Sequence, residues 1–121
     1  MPENKKITVY YNPFCSTCME VMTVLGNSSC EINAIEYLKD FPTKDELKEL
    51  LEKLNLKPHD IIRIKEPIYQ KKYEGKSLTD EEWLDAIMEN HILLQRPILI
   101  DGNTAIIGRP IEKVIELIKS T

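Results

Sequence analysis

Two spacings of apolar residues alternate along the chain. In Lys6–Tyr11 (KITVYY) Ile7 and Val9 fall on one face, and the mixed apolar character predicts an interior strand that Pro13 then closes. From about Cys15 the spacing becomes helical, through Val21, Met22 and Leu25, until Gly26-Asn27-Ser28-Ser29 supplies a stop. Glu31–Leu38 (EINAIEYL) returns to alternation and reads as a second strand, completing a β-α-β unit with parallel strands and a right-handed crossover. A helical middle follows. Thr43-Lys44-Asp45-Glu46 has the form of a capping box and opens a helix with Leu47, Leu50, Leu51 and Leu54 on one face. Thr79-Asp80-Glu81-Glu82 repeats the form before Trp83, Leu84, Ile87 and Met88. Between the two helices, Pro58 begins a short helix through Ile61 and Ile62. The polar run Lys65–Ser77 reads as loop and turn, with Lys71-Lys72 at a solvated tip. Pro97–Ile100, the turn Asp101-Gly102-Asn103 and Thr104–Ile107 predict an antiparallel hairpin. Pro110–Lys119 closes the chain as an amphipathic helix through Ile111, Val114, Ile115 and Ile118, with proline suited to its first turn.

The resulting order, β-α-β, a helical insertion over about 43–92, then β-β-α, is the thioredoxin-like (glutaredoxin-like) α/β arrangement. It predicts one mixed four-stranded sheet with helices on both faces and an active site at the N-terminal end of the first helix. A length of 121 residues fits a single domain over 1–121. With 42% hydrophobic and 30% charged residues, the composition is that of an ordinary globular protein. A net charge of -4 disfavours direct binding to a nucleic acid backbone. No apolar run reaches the ~20 residues of a membrane span, and the first residues lack the apolar core of a signal peptide, so the expected compartment is the cytoplasm.

Cys15 and Cys18 form a C-x-x-C pair on the predicted strand-to-helix turn. Unpaired N–H groups and the positive end of the helix dipole favour an anion there, and a thiolate is one, so Cys15 is the candidate nucleophile. The alternative, half of a zinc site, lacks support. Beyond the pair, Cys30, His59 and His91 are the soft or borderline donors, and none completes a second ligand pair, so no metal is expected. Cys30 reads as a small buried hydrophobe, His59 and His91 as solvated or capping residues, and Tyr69 and Trp83 as packing. Asn12 has two readings: its amide orders the turn, or it hydrogen-bonds the thiolate.

Arginine occurs only at Arg63, Arg96 and Arg109, while lysine is plentiful. Arginine provides planar, permanently charged donors suited to tetrahedral oxyanions, and positive charge near a cysteine favours its thiolate. Three arginines converging on Cys15 would make an oxyanion pocket; three independent pairs with local carboxylates is the competing reading.

Asn12-Pro13-x-Cys15 after the first strand, Ile62-Arg63, Arg96-Pro97 before a strand and Gly108-Arg109-Pro110 before the last helix resemble the glutaredoxin-coupled arsenate reductases (ArsC), a thioredoxin-fold family. The resemblance takes in Tyr37-Leu38 and Pro42-Thr43 through Glu46-Leu47, and so nearly the whole chain. It implies that Cys15 attacks arsenate, that Arg63, Arg96 and Arg109 bind the oxyanion, and that Pro97 is a cis-proline. It also implies that glutathione and glutaredoxin complete the reduction, with no bound cofactor and a thiol as co-substrate. Two positions depart from the family pattern. Tyr11 stands four before the cysteine, where the family commonly has histidine, and Cys18 stands where it commonly has serine or another small polar residue. Cys18 opens a second route, an internal Cys15–Cys18 disulfide reduced by thioredoxin. The same pair is similar to that of Spx-like regulators, which sense disulfide stress and bind RNA polymerase. Three functions therefore stand: an arsenate reductase, a redox switch docking on RNA polymerase, and a thiol oxidoreductase with another substrate.

Overall fold

The computed structural model describes residues 5–119. Four strands, β1 (Lys6–Tyr11), β2 (Glu31–Glu36), β3 (Ile98–Asp101) and β4 (Thr104–Ile107), form one mixed sheet in the order β2-β1-β3-β4. β1 runs parallel to β2, with Ile7 opposite Ile32, and antiparallel to β3, with Val9 opposite Leu99. β3 and β4 are the expected hairpin, with Leu99 opposite Ile106. The fold is thus α/β and thioredoxin-like.

By its internal contacts the chain divides into two compact units, one made of residues 1–40 and 96–121, the other of Phe41–Gln95. The first unit holds the sheet with helices α1 (Ser16–Gly26) and α5 (Ile111–Lys119). Alternation along the central strands explains its core. Ile7, Val9 and Leu99 point to one face and meet Val21 and Leu25 of α1 and Val114 and Leu117 of α5 in a buried cluster. Cys30 is half-buried and packs against that cluster, in keeping with its reading as a small hydrophobe. β1 ends at Tyr11, and Cys15 N–H donates to Asn12 O at 3.1 Å, closing a turn that delivers Cys15 as the N-cap of α1.

The second unit contains helices α2 (Lys44–Leu54), α3 (Pro67–Lys72) and α4 (Asp80–Glu89), with 3-10 turns at Pro58–Ile61 and His91–Leu93. Both capping boxes form. Thr43 and Thr79 accept from Glu46 N–H at 3.1 Å and Glu82 N–H at 3.2 Å, and the two glutamates accept from the threonine N–H groups in return. Lys44 pairs with Glu81 and Asp85, tying α2 to α4.

Two sequence expectations need correction here. The run Lys65–Ser77, read as loop, contains α3, and Lys71-Lys72 form its last turn, where lysine complements the helix dipole. With six residues and Tyr69 as its one buried side chain, α3 is too short to display a helical apolar period. Of the histidines, His59 is exposed, as expected of a solvated residue, whereas His91 is half-buried and is neither solvated nor a cap. His91 stacks on Phe41 with ring centroids 3.7 Å apart. His59 Nε2 lies 3.0 Å from Tyr69 Oη, and its ring centroid lies 4.7 Å from that of Trp83, within an aromatic cluster completed by Tyr73. That cluster gives Tyr69 and Trp83 the packing role expected of them.

Gly108 marks where β4 leaves the sheet toward α5. A Cβ added there would lie 2.9 Å from Leu99 Cδ1, 3.0 Å from Pro97 Cγ and 3.1 Å from Val114 Cγ2, closer than packed carbons approach. Gly108→Ala is therefore expected to destabilise the protein by about 1–3 kcal/mol, as overpacked cores do. Urea unfolding checks this, and an unchanged midpoint would show that the site yields freely.

Candidate active site

The turn between β1 and α1 builds the centre of the site. Asn12 is 5% exposed, and its side-chain Oδ1 accepts the Phe14 N–H at 2.9 Å, an Asx turn that sets the approach to Cys15. Its backbone N–H reaches the other cysteine, donating to Cys18 Sγ at 3.5 Å. The side chain thus orders the turn, and the link to a thiol runs through the backbone.

Cys15 occupies a helix N-cap, a position that normally holds a serine, threonine, aspartate or asparagine. It makes no capping hydrogen bond of ordinary geometry, and the first turn of α1 holds no acidic side chain. Sulfur is thus the anion available to the positive end of the helix. Burial raises its pKa, but the Cys18 backbone N–H, the Arg96 guanidinium and the Cys18 thiol together outweigh burial and bring Cys15 from 9.0 down to about 7. Cys18 moves the other way. It is fully buried, and burial together with the neighbouring Cys15 raises it to about 11, against the lowering influence of the Asn12 N–H and Arg96. With Cys15 favoured as the thiolate and Cys18 as the thiol, the proton on Cys18 is the one available to hydrogen-bond the Cys15 thiolate.

Arg96 and Arg109 come from the two ends of the β3–β4 hairpin. Arg109 Nη2 lies 3.4 Å from Cys15 Sγ, and its Nε donates to the Arg96 carbonyl at 2.7 Å, which fixes the fork relative to the other arginine. Arg96 is 9% exposed, and its Nη1 donates to Tyr37 Oη at 3.3 Å. The peptide bonds Arg96–Pro97 and Arg109–Pro110 are both cis; the second was not anticipated. Arg63 belongs to the other unit. There its Nε lies 3.3 Å from Glu66, its Nη1 donates to Gln95 at 3.4 Å, and its backbone N–H donates to Leu93 O at 2.7 Å. The reading of local carboxylate pairing thus describes Arg63 as it stands.

Tyr37 is the residue whose importance the sequence did not announce. It is fully buried just past β2, and a buried tyrosine hydroxyl calls for a polar partner, which Arg96 supplies. A tyrosine at the end of an alternating strand was the available signal. Among the described residues, no group of three or more histidine, cysteine and acidic side chains is placed to hold a metal ion. No helix among them is long and apolar enough to cross a membrane.

Comparison with known proteins adds the lineage of this arrangement. The model of the ArsC family matches residues 10–117, a span that contains all three cysteines and all three arginines. The chain belongs to the ArsC family. Among ArsC-like relatives, it is 32% identical over 116 residues to the arsenate reductase of Rhizobium meliloti, covering 95% of this chain and 83% of that one. It is 31% identical over 113 residues to the arsenate reductase of Escherichia coli K12, covering 93% and 80%. A solved structure of an arsenate reductase from Vibrio cholerae superimposes with a TM-score of 0.88 at 34% identity, over 94% of this chain and 98% of that one.

The two thiols should separate under alkylation. A lowered pKa keeps Cys15 as thiolate above about pH 7 and loses it as pH falls through that value, whereas Cys18 stays protonated until about pH 11. The rate of iodoacetamide modification at Cys15 is expected to rise with a midpoint near pH 7. Arg96→Met should move that midpoint toward 9, and Tyr37→Phe should move it in the same direction by less. A midpoint that stays put in Arg96→Met would show that the guanidinium does not set the acidity of Cys15.

Proposed function

We propose that this protein is a thiol-dependent oxidoreductase of the arsenate-reductase type, with Cys15 as nucleophile. The observation that carries the reading is the setting of one sulfur: Cys15 Sγ at the uncapped N-terminus of α1, with Arg109 Nη2 at 3.4 Å and Arg96 favouring its thiolate. The activity named for its relatives supports the same chemistry.

In this reading, Arg96 and Arg109 hold a tetrahedral oxyanion beside the thiolate. Cys15 attacks arsenic(V), forming an S–As bond while one oxygen leaves as water. A second thiolate then attacks Cys15 Sγ. The S–As bond pair stays on arsenic, which departs as arsenic(III), and Cys15 is left in a disulfide. Two thiols have been oxidised by one electron each and arsenic reduced by two. The second thiol is glutathione, with glutaredoxin restoring Cys15, or it is Cys18, with thioredoxin reducing the internal disulfide. Cys18 is favoured by its contact with Cys15 and by a change in its surroundings. Burial, the main cause of the raised Cys18 pKa, persists, but once Cys15 is bonded to arsenic the further rise due to its thiolate charge is gone, while the Asn12 N–H and Arg96 remain to lower it. Such chemistry needs a reducing compartment, and we assign the protein to the cytoplasm.

The same contact between Cys15 and Cys18 supports a second reading, a redox switch whose disulfide alters docking on RNA polymerase. The two separate in one assay, arsenate-dependent NADPH consumption run once with glutathione, glutaredoxin and glutathione reductase and once with thioredoxin and its reductase. Turnover is expected, with Cys15→Ser reducing it to background. Cys18→Ser should abolish the thioredoxin-coupled rate if Cys18 resolves the adduct and spare the glutaredoxin-coupled rate. Absence of turnover in both systems, with the internal disulfide still forming under mild oxidant, would transfer the assignment to the switch.

A further inference from the structure

The side chain of Phe14, beside the nucleophile, takes no part in the geometry above. Phe14 is 92% exposed, whereas Cys15 is 8% exposed. A local structural role can be tested directly. With Cys15 as N-cap, Phe14 is the N′ residue and Met19 the N4 residue, the two positions that pack together in a hydrophobic staple. Met19 is 44% exposed and Phe14 almost completely so, which means the staple leaves the ring in solvent. Nor does a small oxyanion have use for a phenyl ring, since it binds through the donors of arginine and backbone N–H groups. Yet the Phe14 backbone is pinned through its N–H to Asn12 Oδ1, so the ring is presented from a fixed base.

Oxidised Cys15 has to be reduced by another thiol, whose sulfur must approach Sγ to a bonding distance of about 2 Å. Small thiols reach a sulfur of low exposure unaided. A cysteine carried on a folded protein brings its surroundings along, and these must cover the residues flanking Cys15. Phe14 and Ser16 are the nearest of them, each with its Cα one peptide, about 3.8 Å, from that of Cys15, and of these two exposed neighbours Phe14 is the apolar one. We propose that Phe14, with Pro13 and Met19 around it, is the docking element for a protein thiol reductant whose nucleophilic cysteine is rimmed by apolar surface. The proposal rests on the thiol chemistry of Cys15 set out above. In the docked complex the partner thiolate attacks Cys15 Sγ and Cys18 leaves as thiolate. A second partner thiol then displaces Cys15, so the disulfide and its two-electron oxidation pass to the partner.

The full-length protein oxidised with diamide is the material for the test. Recovery of its thiols is followed with thioredoxin and its NADPH-dependent reductase, with glutaredoxin and glutathione, and with dithiothreitol. For Phe14→Ser the second-order rate with the protein reductant that acts on the wild type is expected to fall about tenfold, the loss of one buried aromatic contact. The dithiothreitol rate should stay within twofold, and Phe14→Leu should recover most of the protein-dependent rate. Equal slowing with dithiothreitol, or no slowing with the protein reductant, would overturn the docking role. So would a wild type reduced no faster by either protein than by dithiothreitol. Arsenate turnover supported by glutathione alone would, in that last case, leave the reductase reading standing without the docking element.

Discussion

A guanidinium cannot shed its proton to escape a dry environment, so a buried arginine dictates its neighbours. Arg96 does this for the first unit. Its carbonyl receives the Nε of Arg109, its Nη1 reaches the Tyr37 hydroxyl, and its charge favours the thiolate of Cys15. Each of these groups sits at the end of a strand or the start of a helix. Tyr37 follows β2, Arg96 precedes β3, Arg109 follows β4, and Cys15 begins α1. The buried cluster of Ile7, Val9, Val21, Leu25, Leu99, Val114 and Leu117 keeps those ends in register. Hydrophobic burial supplies the frame, and one permanent charge determines what the frame is for.

That charge acts in the same direction on two cysteines three residues apart, yet the two acquire opposite characters. Both feel Arg96, and each has a backbone N–H directed at it. Burial separates them. Cys18 faces inward on α1 and is completely enclosed, while Cys15 keeps some contact with solvent and gains the helix end and Arg109. Once Cys15 holds the negative charge, a second thiolate beside it would add repulsion to the desolvation that Cys18 already suffers. The pair shares one charge, and the more exposed sulfur keeps it.

Much of this was legible in the sequence because it depends on local rules. β1 falls on the expected Lys6–Tyr11, and the hairpin forms around Asp101-Gly102-Asn103. Both threonine capping boxes form, since cap chemistry operates within four residues. Legibility fails where an element is too short for a period, as in α3, or where a side chain's role is set by a distant partner. The stacking of His91 on Phe41 spans fifty residues, and the Tyr37–Arg96 hydrogen bond spans 59. Around Cys15, Arg96 and Arg109 were identifiable from scarcity and motif. What scarcity could not reveal is that Arg63 already has a carboxylate partner in Glu66, that Arg109 is anchored on the Arg96 carbonyl, or that Asn12 serves one thiol through its backbone and the turn through its side chain.

A helix that uses a thiolate where others use a hydroxyl or carboxylate has a terminus whose integrity depends on electron count. When Cys15 enters a disulfide its negative charge disappears, and the first N–H groups of α1 lose the anion that complements them, an interaction of about 0.3–1 kcal/mol at a helix end. Oxidation therefore removes one electrostatic support of the turn that bears the oxidised sulfur, and reduction restores it. The redox state of one atom and the stability of one helical turn are thereby thermodynamically linked.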